Sequence, residues 1–245
     1  AHVQAVCELM PYSNGLVRNI VQCLDDYDIP LKLSHTITFI HGKDRIEGVT
    51  VMQVGDDRKP IPGTEEFIPC DTLLLSVGLI PENEISRNAG VDIDGRTSGP
   101  VVGELRETSM PGVFACGNVV HVHDLVDFVS EESVLAGKGA AKYIKGELST
   151  ETNFDTVNGE GISYVVPQHV SLANMDDALT FYMRVRNVYA DSVVNAYING
   201  EKIATKKARK FLPAEMVNFN IKKEVLEKYP NGKIEFIVEP KEAKK

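Results

Sequence analysis

The sequence predicts an α/β first part followed by a small β-sandwich-like second part. Three observations carry that expectation. Strand and helix periodicities alternate over residues 1–146. The run Asp71-Thr-Leu-Leu-Leu-Ser-Val-Gly78 is apolar on successive residues at Leu73, Leu74 and Leu75, as expected of a strand covered on both faces of a parallel sheet. Beyond a polar stretch at 147–160, short alternating segments and turn signals replace the earlier pattern.

Taken in order, residues 3–9 read as a short strand. Ser13, Asn14 and Gly15 are helix-start candidates after Pro11. Leu16, Ile20, Val21 and Leu24 recur at helical spacing, and that helix is expected to end near Tyr27. Residues 31–40 and 48–54 follow as strands, and residues 81–112 as loops with short strands. Residues 112–117 read as another short buried strand. A long helix is expected over 124–144, with small residues at Ala136, Gly137, Gly139, Ala140 and Ala141 for close packing. Lys142 and Lys145 suit the negative end of its dipole, and Gly146 suits a left-handed cap. In the second part, strands are expected over 161–170, 180–188, 193–198 and 234–238, and a short helix over 222–229. Asn199-Gly200 is a two-residue hairpin signal. Phe181, Met183 and Val185 alternate with Tyr182, Arg184 and Arg186, the period of a half-exposed strand.

Composition narrows the function class. With 43% apolar residues in 245, ordinary globular cores are within reach. A formal net charge of −9 argues against a general nucleic-acid surface. No apolar run is long enough for a membrane span, and Ala1-His2-Val3-Gln4 does not open a signal peptide, so a cytoplasmic location is the default. The start at Ala1, without Met and inside a strand-like stretch, gives the expectation of a fragment. Cys7, Cys23, Cys70 and Cys116 form no C-x-x-C pair and are expected to be reduced, buried thiols.

Three stretches carry chemistry. In Thr108-Ser-Met-Pro-Gly-Val-Phe-Ala-Cys-Gly117-Asn118, an apolar segment ends on a glycine, where a cofactor chain can pass against bare backbone. The run from Asp71 to Gly78 continues Leu-Ile-Pro81-Glu-Asn83, with Gly78 permitting close approach and Pro81 fixing an exit turn. The strand at 3–9 ends in Glu8 before a turn and helix. Together these resemble the pyridine nucleotide-disulfide oxidoreductase superfamily, whose two dinucleotide-binding domains are Rossmann-like. The first stretch resembles its second flavin motif, with Asn118 where the family has Asp. The second resembles the crossover between its nicotinamide and flavin domains, and the third resembles the second strand of its nicotinamide unit.

The resemblance implies that residues 1–80 are the C-terminal part of an NAD(P)-binding domain and 81–150 the C-terminal part of an FAD-binding domain, with 161–245 a small β-rich domain. It implies FAD and NAD(P)H as cofactors, with hydride passing between nicotinamide and flavin and on to an unidentified acceptor or partner subunit; a homo-oligomer is compatible with it. Glu8 would hydrogen-bond the adenosine ribose and favour NAD over NADP. Asn118 would contact the ribityl chain, and backbone N–H groups near Asp124, Leu125 and Val126 would face the flavin's pyrimidine edge. Asp124 serving only as a helix cap stands as the alternative. Catalytic residues are not assigned. The Gly-rich flavin and nicotinamide motifs and a dithiol do not occur in these residues. His121 and His123 offer two metal ligands, but no further cluster in the sequence completes a set, so no metal is expected. The basic cluster Lys206-Lys207-Ala-Arg209-Lys210 could meet an acidic partner or a phosphate, with a solvated loop or an edge-strand guard as the plainer alternative. The competing function is a non-catalytic interaction module, with a degenerate dinucleotide fold and a partner-docking β domain.

Overall fold

The computed structural model describes residues 1–13 and 15–241; Asn14, one of the helix-start candidates, lies outside the described residues. The chain divides into two compact units, Ala1–Gly78 and Leu79–Lys245.

In the first unit, β1 (Val6–Glu8) leads through α1 (Val17–Cys23) to β2 (Leu31–Leu33), which pairs with β1 in parallel, Glu8 opposite Leu33. Parallel strands need such a crossover, and the helical spacing of Leu16 to Leu24 supplies it. α1 has no side-chain cap; the Ser13 hydroxyl instead accepts from the Gly15 N–H at 3.0 Å. The strand expected over 31–40 is broken at Ser34, which sits at φ 52, so β2 is separate from β3 (His35–His41). β3 pairs antiparallel with β4 (Gly48–Gln53), and β4 with β5 (Glu66–Pro69).

The apolar run at 71–78 joins no sheet. Its side chains stand in solvent, Leu74 at 86% and Val77 at 88% exposure. This corrects the expected buried strand: a strand covered on both faces needs neighbours at its edges, and no described strand lies alongside it. The cysteines also differ from expectation: all are free, but Cys23 is exposed and Cys7, Cys70 and Cys116 are half-buried.

The second unit opens with α2 (Glu84–Asn88) and continues as loops held by isolated antiparallel bridges, Val102 with Thr108 and Glu107 with Phe114 among them. The strand expected over 112–117 is therefore reduced to one bridge. α3 (Val126–Lys145) ends as anticipated, on Gly146 at φ 70. Its buried stripe is Glu132, Ala136 and Gly139, spaced to lie on one face. Glycine is required at 139, where a Cβ would fall 2.6 Å from the Leu105 carbonyl oxygen and 2.7 Å from the Phe114 ring.

The β-rich part comprises β6 (Phe154–Asn158), β7 (Ile162–Val166), β8 (His169–Val170), β9 (Ala178–Val185), β10 (Tyr189–Ala190), β11 (Ser192–Ile198), β12 (Glu201–Lys207), β13 (Lys210–Phe211), β14 (Val217–Lys222), the short α4 (Lys223–Leu226) and β15 (Gly232–Pro240). One sheet has the order β12-β11-β15-β6-β8 and the other β14-β9-β7. β6 lies within the polar stretch at 147–160, where no strand was expected, and pairs in parallel with β15. The β11–β12 hairpin turns on Asn199 and Gly200, at φ 51 and 80, the geometry that dipeptide favours. A shared apolar core is drawn from both sheets, with Phe236 of one at 5.1 Å from Phe181 and 5.2 Å from Phe219 of the other.

The other side of β9 is not half-exposed, as alternation suggested. Tyr182 is buried and Arg184 largely so, because that face packs on the α/β segment. Tyr164 and Val166 of β7 join Val102 and Val120 in a second apolar cluster. Residues 79–146 and the β-rich part share this cluster and lie in one compact unit.

Candidate functional site

The stretch from Gly117 to Val126 is built around a buried carboxylate. Gly117 is buried at φ 74 and starts a 3-10 turn, and its N–H donates to Glu132 Oε2 at 2.6 Å. His123 Nε2 approaches the same oxygen at 3.0 Å. Glu132 Oε1 accepts from Arg106 Nε at 2.7 Å and faces His121 Nε2 at 3.3 Å. An ionised carboxylate only accepts, so both imidazoles carry their proton on Nε2. Arg106 and Glu132 are both fully buried. Arg106 closes its own left-handed turn, at φ 68, by donating from Nη1 to the Glu104 and Gly103 carbonyls. Burial by itself would raise the Glu132 pKa. Hydrogen bonds from His121 and His123, with the Arg106 charge, outweigh it and hold the carboxyl well below the usual range. Burial lowers the His121 pKa against the opposing pull of Glu132, keeping that ring neutral.

Asp124 does not cap α3. Its Oδ1 accepts from Arg184 Nη2 at 2.5 Å and its Oδ2 from the Met216 N–H at 2.5 Å. Arg184 also donates to the Val122 carbonyl from Nη2 at 3.1 Å and to the Pro213 carbonyl from Nη1 at 3.2 Å. α3 starts after Leu125 with no side-chain cap. A helix start without a cap leaves N–H donors and a partial positive charge to be met from elsewhere. Asn118 is exposed, and its Oδ1 accepts from the His123 N–H at 3.1 Å.

Of the residues singled out from sequence, the structure thus brings Gly117, Asn118, Asp124, Leu125 and Val126 into one stretch of the second unit. Glu8 and Gly78 belong to the first. Glu8 ends β1, and its Oε1 accepts from the Met10 N–H at 2.9 Å. Gly78 has φ 95 and open space where a Cβ would stand. Lys206, from the basic cluster, is half-buried and its Nζ donates to the Asn218 carbonyl.

His121 and His123 do gain a third potential ligand, contrary to the sequence expectation: Glu132 brings three ligand atoms within 4.8 Å of one another. That carboxylate is already surrounded by donors, one of them a guanidinium that supplies the balancing positive charge. Glu132, Arg106 and Arg184 were not singled out from sequence. One signal was available for Glu132: it occupies a helix position in register with Ala136 and Gly139, where a charge must have a partner. Nothing local marks Arg106 or Arg184, whose partners lie 26 and 60 residues away.

The family model for pyridine nucleotide-disulphide oxidoreductases matches residues 3–140. This covers more than half of the chain, and the chain belongs to that family of oxidoreductases. It is 30% identical over 116 residues to the glutamate synthase [NADPH] small chain of Halomonas elongata, covering 42% of this chain and 25% of that protein. It is 26% identical over 140 residues to thioredoxin reductase of Listeria monocytogenes, covering 44% and 43% respectively. It is 29% identical over 126 residues to NADH oxidase of Methanocaldococcus jannaschii, covering 51% and 24%. The chain therefore spans less than half the length of these relatives. Among solved structures, thioredoxin reductase from Giardia duodenalis aligns with a TM-score of 0.37 at 16% identity, covering 59% of this chain and 46% of that one. No helix among the described residues is long and apolar enough to cross a membrane.

Proposed function

We propose that these residues are the C-terminal part of a longer FAD-dependent oxidoreductase that moves hydride between a nicotinamide nucleotide and flavin, and then passes electrons to a separate acceptor. The observation that carries this is the uncapped start of α3 beside the buried glycine turn at 117. Gly117 would present its bare α-carbon to the ribityl chain; a Cβ there would already meet Val129 Cγ1 at 3.1 Å. Its N–H is committed to Glu132, so it fixes the turn and does not donate to the cofactor. Asn118 would offer its side-chain amide to a ribityl hydroxyl. The backbone N–H groups at the start of α3, near Asp124, Leu125 and Val126, would stabilise negative charge on the pyrimidine edge. Bound flavin supplies the hydride-accepting chemistry. In the first unit, β1-α1-β2 has the parallel crossover of a nicotinamide-binding half, and Glu8 at the end of β1 would turn to the ribose hydroxyls. Residues 71–78, with Gly78 at their end, would find their neighbouring strands in chain beyond these residues. The part from β6 to β15 reads as a β-sandwich-like unit packed against the flavin-facing segment.

Anaerobic mixing of the complete protein with NADH, followed by loss of the flavin's visible absorbance, tests this. Bleaching within a turnover time is expected. A protein purified without flavin that cannot be loaded with it would overturn the proposal. It would favour the non-catalytic module, for which the replacement of the family's Asp by Asn118 is the motivating observation.

A further inference from the structure

The β-rich part does more than stand beside the α/β segment. β9 sends Arg184 into it, and that guanidinium holds Asp124 through Nη2 while also tying down the Val122 carbonyl. The backbone N–H of Met216, just before β14, takes the other Asp124 oxygen. Asp124 lies one residue before the N-cap of α3, and a carboxylate this close to a helix start is attracted to its uncapped first-turn N–H groups. Here it is turned away and its charge is neutralised by Arg184. Resting on the flavin reading above, we infer that Arg184 is a positioning residue of the flavin-facing site: it keeps the Asp124 carboxylate off the start of α3, leaving those donors for the cofactor.

Without Arg184, Asp124 loses its counter-charge and keeps only the Met216 N–H, next to the uncapped helix start, and folding over onto that start would restore a positive partner to the carboxylate and an acceptor to the helix. It would then occupy the donors and place negative charge where reduced flavin also carries it. Both effects oppose the reduced cofactor. Arg184→Met should therefore shift the flavin midpoint potential downward and weaken FAD binding several-fold. The double variant Arg184→Met/Asp124→Asn replaces a neutral pair by a neutral pair, and should bring the potential back toward the parent value. A merely structural loss would leave the double variant as impaired as the single one.

Two measurements keep this inference apart from the flavin reading. The first is a crystal structure of the 245-residue chain carrying Arg184→Met, for which flavin is not needed. Asp124 Oδ atoms accepting from the first-turn N–H groups of α3 are expected; a carboxylate still on the Met216 N–H and away from the helix overturns the inference, whatever the cofactor does. The second is the potential of the flavin-loaded protein in parent, single and double variants. A lowered potential in the single variant that the double restores supports the inference, and equal potentials in all three overturn it. A parent protein that takes up no flavin refutes the proposed function and with it the cofactor role of Arg184, while the crystal structure still reports on the carboxylate.

Discussion

Glu132→Gln removes one negative charge while keeping the side chain's shape. In the parent, the two carboxylate oxygens receive Arg106 Nε, the Gly117 N–H and both imidazole Nε2 groups. A glutamine keeps one acceptor oxygen, and its amide nitrogen turns two hydrogens toward groups that also donate. Arg106, fully buried, is left without its counter-charge. Breaking a buried pair from one side costs ~3–5 kcal/mol, which for a domain of this size lowers the melting temperature by ~6–20 °C. Calorimetry or urea unfolding of the chain reads this directly. Glu131→Gln, one residue away and exposed, is the control and should move stability by under ~1 kcal/mol. Adding Arg106→Met to Glu132→Gln should cost less than the sum of the two single changes, because the stranded charge is gone. A Glu132→Gln variant melting within about 2 °C of the parent would refute the network as described.

Acid should destabilise the second unit in two stages. His121 has a folded pKa below its ordinary 6.5, so its contribution is full above that value and is lost as pH falls below it; the low Glu132 pKa adds stability that is lost at still lower pH. Urea midpoints measured from about pH 8 down to about pH 4 should fall steadily, and a flat profile between about 6.5 and 5 would contradict a neutral buried His121. Phe236→Ala empties the centre of the core between the two sheets and should cost ~3–5 kcal/mol, read as a lower urea midpoint with unchanged cofactor content. In the longer protein proposed above, Glu8 should favour NADH over NADPH in steady-state kinetics, and a clear preference for NADPH would remove Glu8 from the nucleotide site.

Local chemistry was the legible part of this sequence. The spacing of Leu16 to Leu24, the cap at Gly146 and the hairpin at Asn199-Gly200 depend on a few neighbouring residues, and each formed, although the first helix stops at Cys23 and only a 3-10 turn, Asp25–Tyr27, carries on to the expected end. Long-range cover was not legible. The apolar run at 71–78 has the composition of a buried strand, but burial depends on neighbours that no described strand provides. The alternation in β9 marks two faces without saying that both are covered, one by the apolar core and the other by His121, His123 and Phe128 around Tyr182. The same limit applies to the site. Gly117 and Asn118 announce themselves through a motif, whereas Glu132, Arg106 and Arg184 matter because folding brings distant charges together.

Under the proposed function, these 245 residues hold one half of a flavin site and rely on further chain for the other half. FAD titration, followed by flavin fluorescence, tests it in two samples: this chain alone, and the longer protein proposed to contain it. The Gly-rich motif whose helix start anchors the pyrophosphate does not occur among these residues, and half a site must still offset several kcal/mol of lost ligand freedom. The account predicts weak or no binding to the 245-residue chain and stoichiometric FAD in the longer protein, lost on Gly117→Val while the fold is kept. Tight stoichiometric binding to the chain alone, or a longer protein that holds no flavin, would contradict it.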